Sequence, residues 1–505
     1  MKLAKKELVP AITHIVNLSL ASQIFPVQWK ISKVIPLHKK DELLYPKNYR
    51  PVSLLPILSK ILERAAFQQI VDYFEQNQLL HPSHHGFRAK HNTSTALVQM
   101  FDVWVDAFDH GDISAVVMLD MSAAFDLVDH NLLLEKLEVY GFDMGSVAWM
   151  ESYLSRRKQR VYIDGALSEP LNVNVGVPQG SILGPLLYII FTNDLPECVH
   201  DHLASNDSFF NTHCYGCGGI CCFADDSSYT MSSKDPKKLS EDISAKYSDI
   251  AQYMGQNKLV LNSEKTQVIV MASSRRHKKY NNFEIKLDTG SEVIEPVNNA
   301  KLLGGHISND FKWNDHVRDN EKSMFKILTS KVNALSKVSK IANFKTRKMV
   351  ASGVVTSTLN YLIQLYGGCS NYLVQVLQVL QNRAARYVTK LGWFTETAVL
   401  LNQCNWLSVK QMIVYQSLTL LFKIQHEKKP DYLYNKLKDK IALRTTDKTK
   451  IRETREFRTD TARRSFIPRA INDWNNLPNE IRETHSFNVF KTKLRAWVKS
   501  NIPIK

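Results

Sequence analysis

The feature that most constrains this chain is a short apolar run that ends in a carboxylate. Ala115–Leu119 reads AVVML, rich in β-branched residues, and is closed by Asp120. A run this short and this apolar predicts a fully buried strand. A charge at its end is costly unless it is solvated, paired or bound to metal. Alone, Asp120 reads best as a strand-end residue bonding to the next turn. A second acidic feature changes the balance. Ala224-Asp225-Asp226 lies between the strand-like runs Cys221–Phe223 and Ser227–Thr230, the pattern of a hairpin. Adjacent side chains there point to different sides, so only one of the pair need face Asp120. Carboxylates gathered from different strand ends repel each other unless divalent cations neutralise them. Hard oxygen ligands suit Mg²⁺, which keeps waters and adds substrate phosphates to its shell. Two such ions, about 3.5–4 Å apart, stabilise the attacking and leaving oxygens of a phosphoryl displacement.

Between these acids lies Gly176-Val-Pro-Gln-Gly-Ser-Ile-Leu-Gly-Pro185. Its glycines let another backbone or a ligand come close, and Gln179 can hydrogen-bond through its side chain. Ser181 is placed to cap a helix running to Asn193. Residues 57–80 carry apolar positions at helical spacing. Asp235-Pro236 opens a helix as N-cap and first helical residue, with Leu239, Ile243, Tyr247, Ile250 and Met254 as its buried stripe. Strand-like runs follow at Leu259–Leu261 and Gln267–Met271. Residues 30–275 therefore alternate helix and strand around a sheet. After the basic run Arg275–Lys279 the pattern changes: from about 315 to 430 the chain reads as mostly helical, and from about 440 as very basic. Trp474, Leu477, Phe487, Phe490 and Trp497 are enough for a small helical unit near the end.

The 505 residues are 44% hydrophobic and 23% charged, with a formal net charge of +16. That composition fits a globular chain of several domains, and the charge fits a polyanionic partner. Seven cysteines, four of them between Cys214 and Cys222, do not suggest a secreted disulfide framework and fit a reducing, intracellular compartment better, nuclear or cytoplasmic. No run is long enough to span a membrane. Cys214 and Cys217 have CxxC spacing, and Cys221 or His213 could complete a zinc site. The lack of a clear second pair favours packed thiols in a loop insertion.

In order along the chain, Asn48-Tyr-Arg-Pro-Val-Ser-Leu-Leu55, His85-Gly-Phe-Arg88, the Asp120 run through Phe125-Asp126, Val177-Pro-Gln-Gly180, Phe223-Ala-Asp-Asp226 and Asn257-Lys-Leu with Lys265 resemble the successive motifs of reverse transcriptases. They are similar to the non-LTR, LINE-type retrotransposon enzymes over roughly residues 20–275. A weaker, jockey-like similarity continues to Trp474–Arg482. The resemblance implies an α+β right hand: fingers, a palm with a small antiparallel sheet, and a helical thumb. In residue ranges it implies a helical extension (1–19), fingers and palm (20–275), thumb and helical connection (276–430) and a basic C-terminal region (431–505).

It also implies RNA-directed DNA synthesis from dNTPs on an RNA template with a DNA primer, using two Mg²⁺ ions, with Mn²⁺ as an alternative. Asp120 and Asp225 would hold metal and Asp226 would accompany them. Phe125 would be the gate that clashes with a ribose 2′-hydroxyl. Lys39 and Arg50 would hold the triphosphate, and Gln179 and Gly180 would track nucleotide and template. Arg88 would touch template, and Lys265 would assist at the pyrophosphate or remain a solvated lysine. Phe223 stands where tyrosine is frequent. No endonuclease segment precedes the finger motifs and no RNase H carboxylate set follows residue 300, as expected of the back portion of a longer product or a truncated copy. A non-catalytic nucleic-acid-binding remnant is the rival reading. Group II intron-type and telomerase-like enzymes fit the finger motifs and tail less well.

Overall fold

A computed structural model describes residues 5–39, 42–199, 219–273, 276, 285–441, 449–451, 453 and 456–504. The chain begins with α1 (Lys5–Ser22), the strands β1 (Ile31–His38) and β2 (Tyr49–Leu54), and the helices α2 (Ile57–Gln76) and α3 (Thr93–Asp109). The apolar run forms β3 (Ile113–Leu119), followed by α4 (His130–Val139), α5 (Met144–Leu154), β4 (Arg157–Ile163), β5 (Ala166–Leu167) and β6 (Leu171–Val173). Next come α6 (Leu183–Phe191), the hairpin β7 (Gly219–Phe223) and β8 (Asp226–Ser233), α7 (Pro236–Gln256) and β9 (Gln267–Met271).

Two sheets organise this part. One joins β2, β1 and β4 with the short β5 and β6, and its β1–β4 pair is parallel. The other is antiparallel throughout, in the order β7-β8-β3-β9. Every residue of β3 is buried, which is why its sequence is a continuous apolar run rather than an alternating one. The period-2 geometry of a strand still sorts its side chains. Val116 and Met118 join one core with α3, while Ile113, Ala115, Val117 and Leu119 join a second core with α6 and α7. On the α3 side the buried Trp104 indole donates to Thr230 Oγ1 at 2.8 Å, anchoring the helix to β8.

α7 follows the sequence reading. Asp235 accepts from the Lys237 amide at 2.9 Å, and all five stripe residues are buried. Leu259–Leu261 departs from it. This segment crosses beyond the end of β3, where Ser122 donates to the Val260 carbonyl and Asn262 to that of Asp120, so it makes only an isolated bridge, Met121 to Leu261.

The stretch between residue 276 and the helices departs from the helical thumb expected from about 276. Four short strands, β10 (Leu287–Asp288), β11 (Val293–Ile294), β12 (Asn299–Leu302) and β13 (Gly305–Ser308), pair as two hairpins before the helices begin. The Val297 amide reaches the Val268 carbonyl at 2.8 Å, tying this segment to β9. Helices dominate from Met324 onward. The apolar core is continuous across residue 430: Phe490 stacks on Phe422 at 4.1 Å and Trp474 lies 5.9 Å from Phe490. The same core reaches α3, where the Asp109 carboxylate accepts from the Arg458 and Thr459 amides and the Thr459 hydroxyl.

Candidate active site

The register of the antiparallel sheet sets the site. β3 pairs with β8 so that Leu119 lies opposite Ser227; the next step in register sets Asp120 opposite Asp226. Asp225 sits with Ala224 at the turn between β7 and β8, and Ala224 adopts φ +59° to make that turn tight. The three acids thus lie at the same end of the sheet. Their charges act on one another. Desolvation by burial pushes the Asp226 carboxyl above its ordinary range, and the negative charges of Asp225 and Asp120 push it further, against the pull of Lys39 and Lys301.

The loop after Gln256 docks on Asp120 from the other side. Asn262 donates its amide to the Asp120 carbonyl at 2.9 Å and turns the chain so that Lys265 Nζ lies 3.3 Å from Asp120 Oδ2. Both side chains are about half exposed, so the pair is open to exchange with ligands. Among the described residues no cluster of three or more His, Cys, Asp or Glu side chains is gathered as a self-sufficient metal cage. Few protein carboxylates are what a Mg²⁺-like ion takes when water and phosphate complete its shell, so the donor set fits a divalent cation of that kind. The expectation for His213, Cys214 and Cys217 lies outside the described residues. Cys221 is a buried thiol in β7, its pKa pushed far up by burial.

A 3-10 turn, Ala124–Asp126, follows β3 and presents Phe125 beside Tyr188 of α6, ring centroids 4.7 Å apart. The buried Tyr188 hydroxyl donates to Met121 Sδ at 3.1 Å, and burial followed by the Asp225 charge pushes its own pKa up. Asp126 accepts from the Gln179 amide at 2.8 and 3.0 Å. Burial raises the Asp126 carboxyl, with the Gln179 bond and the Arg50 charge pulling the other way. The Arg50 charge thus acts on Asp126, as the Lys39 charge acts on Asp226.

Gly180 adopts φ +123°, and a Cβ there would lie 2.6 Å from the Ser53 carbonyl oxygen. The Ser53 amide donates to the Gln179 carbonyl at 2.8 Å. The close approach that Gly180 permits is thus to β2.

Arg88 departs from the template contact expected of it. Its guanidinium donates to the carbonyls of His81 and His84 and pairs with Glu75 at 3.4 Å, with the side chain almost wholly covered. Its segment supports the acidic hairpin instead. Cys222 of β7 donates to the Ser83 carbonyl and accepts from the His85 amide at 2.8 Å. At Gly86 a Cβ would lie 2.7 Å from the Ala224 amide nitrogen.

Sequence reasoning missed three residues. Glu63, fully buried in α2, accepts from Ser59 and from the Ile182 amide at 2.7 Å, placing a carboxylate at the start of α6. Tyr188 seats Phe125. Lys301, exposed on β12, acts on Asp226. Glu63 sits one residue from an apolar stripe, which was its only signal; the other two have none without the fold.

The reverse transcriptase (RNA-dependent DNA polymerase) family matches residues 37–307. The chain is 28% identical over 406 residues to a protein of Drosophila melanogaster named as the probable RNA-directed DNA polymerase from transposon X-element, covering 79% of this chain and 42% of that one. It is 24% identical over 399 residues to the RNA-directed DNA polymerase from mobile element jockey of the same organism, again 79% and 42%. The chain thus spans about two fifths of the length of these curated relatives. Among solved structures, telomerase from Candida tropicalis in complex with a TWJ fragment of telomeric RNA is similar at TM-score 0.42 and 11% identity, over 94% of this chain and 65% of that one. The chain belongs to the reverse transcriptase (RNA-dependent DNA polymerase) family, with homologues among the jockey-, X-element- and BS-like non-LTR retrotransposons.

Proposed function

We propose that this chain extends a DNA primer with deoxynucleotides on an RNA template, using Mg²⁺. The supporting observation is that the pairing of β3 with β8 ends with Leu119 opposite Ser227, one residue short of Asp120 and Asp226, and that the charges of Asp225 and Asp120 act on Asp226. In the reaction the primer 3′-oxygen bonds to the α-phosphorus of the nucleotide. The bond from that phosphorus to the bridging oxygen of pyrophosphate breaks, and the 3′-hydroxyl proton passes to solvent. Two divalent ions, when bound, neutralise charge on the attacking and leaving oxygens.

The chain's own residues hold and select. Asp120 and Asp225 are the carboxylates that would hold the ions, and Asp226 adds negative potential beside them. Lys39, whose charge acts on Asp226, and Arg50, whose charge acts on Asp126, suit a triphosphate through charge-assisted bonds. Phe125, leaning on Tyr188, would form a wall under the sugar. Gln179, tied to Asp126, fixes the loop behind it. Lys265 holds Asp120 until substrate arrives and then serves the pyrophosphate. Catalysis in this reading comes from positioning and charge neutralisation.

The test is DNA synthesis by the purified chain on a homopolymer RNA template with a complementary DNA primer and Mg²⁺. Extension that depends on the divalent ion is expected. A chain that binds the primed template without extending it would instead be the non-catalytic remnant.

A further inference from the structure

From Lys322 to Thr395 the chain contains eleven Lys and Arg and no Asp or Glu. Only Arg347 among these cations is buried. A solvated helical surface ordinarily mixes both signs, so an acid-free stretch this long is a large single-sign field, and such fields attract polyanions.

The fold concentrates part of this charge at one end of a helical group. Helices Met324–Ile341 and Asn371–Thr389 meet where the Arg383 guanidinium donates to Asn333 Oδ1 at 2.9 Å. Arg347, from the helix Phe344–Ala351, donates to the carbonyls of Val388 at 2.8 Å and Ala342 at 2.7 Å. The three helix ends therefore converge where Lys390 leads into the loop 391–395. At the tip of that loop Trp393 is 68% and Phe394 97% exposed. The Arg386 guanidinium lies 4.9 Å over the Trp393 ring. Two adjacent aromatics held in water inside a cationic field are costly as a surface and useful as a stacking platform. Aromatic faces set in a positive groove are how unpaired bases are held without sequence preference.

We infer that Trp393 and Phe394, with the cations around them, form a docking surface for unpaired RNA, the bases stacking on the two rings and the phosphates lying along Arg386, Lys390 and their neighbours. The choice of RNA as occupant rests on the polymerase reading above, in which the template is single-stranded before it is copied; the surface itself rests on charge and exposure.

The experiment is fluorescence anisotropy of the full chain with a labelled, unstructured single-stranded RNA, beside an RNA–DNA hybrid, a single-stranded DNA of the same sequence and anionic vesicles. Trp393→Leu with Phe394→Leu is expected to weaken binding of the single-stranded RNA about tenfold or more, whereas Trp393→Tyr with Phe394→Tyr keeps it within about threefold, because stacking needs a π-face and not merely an apolar side chain. Melting curves of both double variants verify folding. Equal loss with Leu and Tyr, no loss with either, an equal loss for hybrid and single strand, a preference for DNA, or an effect on vesicle binding alone would each overturn the assignment. Binding is read without catalysis, so an inactive chain that still shows the Leu–Tyr difference would remove the polymerase reading and leave this surface standing.

Discussion

At the scale of single residues, the site is built from side chains whose neighbours fix them. Phe125 shows this best. Its ring leans on Tyr188, which is itself tied to Met121. As the proposed gate it must not yield when a 2′-hydroxyl presses on it, and a ring backed by a second buried ring resists displacement. Phe125→Ala is expected to raise ribonucleotide incorporation about tenfold or more relative to deoxynucleotide, in line with the loss of a steric clash of 1–3 kcal/mol, roughly. Single-nucleotide extension with paired rNTP and dNTP measures it, and an unchanged sugar preference would remove Phe125 from that role. The residues that carry charge were legible in the sequence because acids and glycines at strand ends are anomalous. Tyr188 and Lys301 were not, because an aromatic in an apolar helix and a lysine on a short strand look like any others. Arg88 was misread for a related reason: its charge suggested a ligand, yet His81, His84 and Glu75 already occupy it.

At the scale of elements, the segment Ser83–Arg88 is a brace for the β7–β8 hairpin. It adds backbone hydrogen bonds to the edge strand at Cys222 and passes so close to Ala224 that only glycine fits at position 86. Gly86→Ala must push the turn that carries Asp225. A shift of about 1 Å at a reacting group costs on the order of 10²-fold in rate, while overpacking costs about 1–3 kcal/mol of stability. Primer extension should therefore fall at least about tenfold at a temperature where the variant remains folded; a full rate there would show that the brace does not hold the hairpin. β3, α7 and the hairpin could be read from the sequence because each has a strong local signature: a β-branched run, an Asp-Pro start with a regular stripe, and twin acids between strands. β10 to β13 could not. They are two to four residues long, and their pairing is fixed by contacts such as Val297 to Val268 rather than by any pattern of their own.

At the scale of the whole molecule, one apolar core runs from α3 through the C-terminal helices, so the far end of the chain stabilises the back of the palm. Several histidines are buried in these cores. Desolvation holds His84 down to about 3 and His316 to about 4, and holds His85 well below its usual range. An imidazole with a depressed folded-state pKa favours folding fully above about 6.5 and loses that contribution as pH falls toward the folded value, because the unfolded chain takes up the proton first. Each such group contributes up to about 1.4 kcal/mol per pH unit in that window. Asp473, pushed up to about 6 by burial, works the other way and offsets one of them between its unfolded and folded values. The net expectation is a melting temperature that drops steadily from pH 6.5 to pH 4. A flat or rising profile over that range would mean that these imidazoles are not buried as described.

The claim on which the rest depends is that Asp225 works beside Asp120 as a carboxylate for divalent ions. The most direct measurement is primer extension on RNA by Asp225→Ala, run with an electrophoretic assay of primed-template binding. Extension is expected to be abolished while affinity for the primed template changes by less than about threefold, since in this proposed role the side chain serves charge neutralisation at the reacting phosphate rather than grip on the duplex. Extension at the rate of the unaltered chain would contradict it.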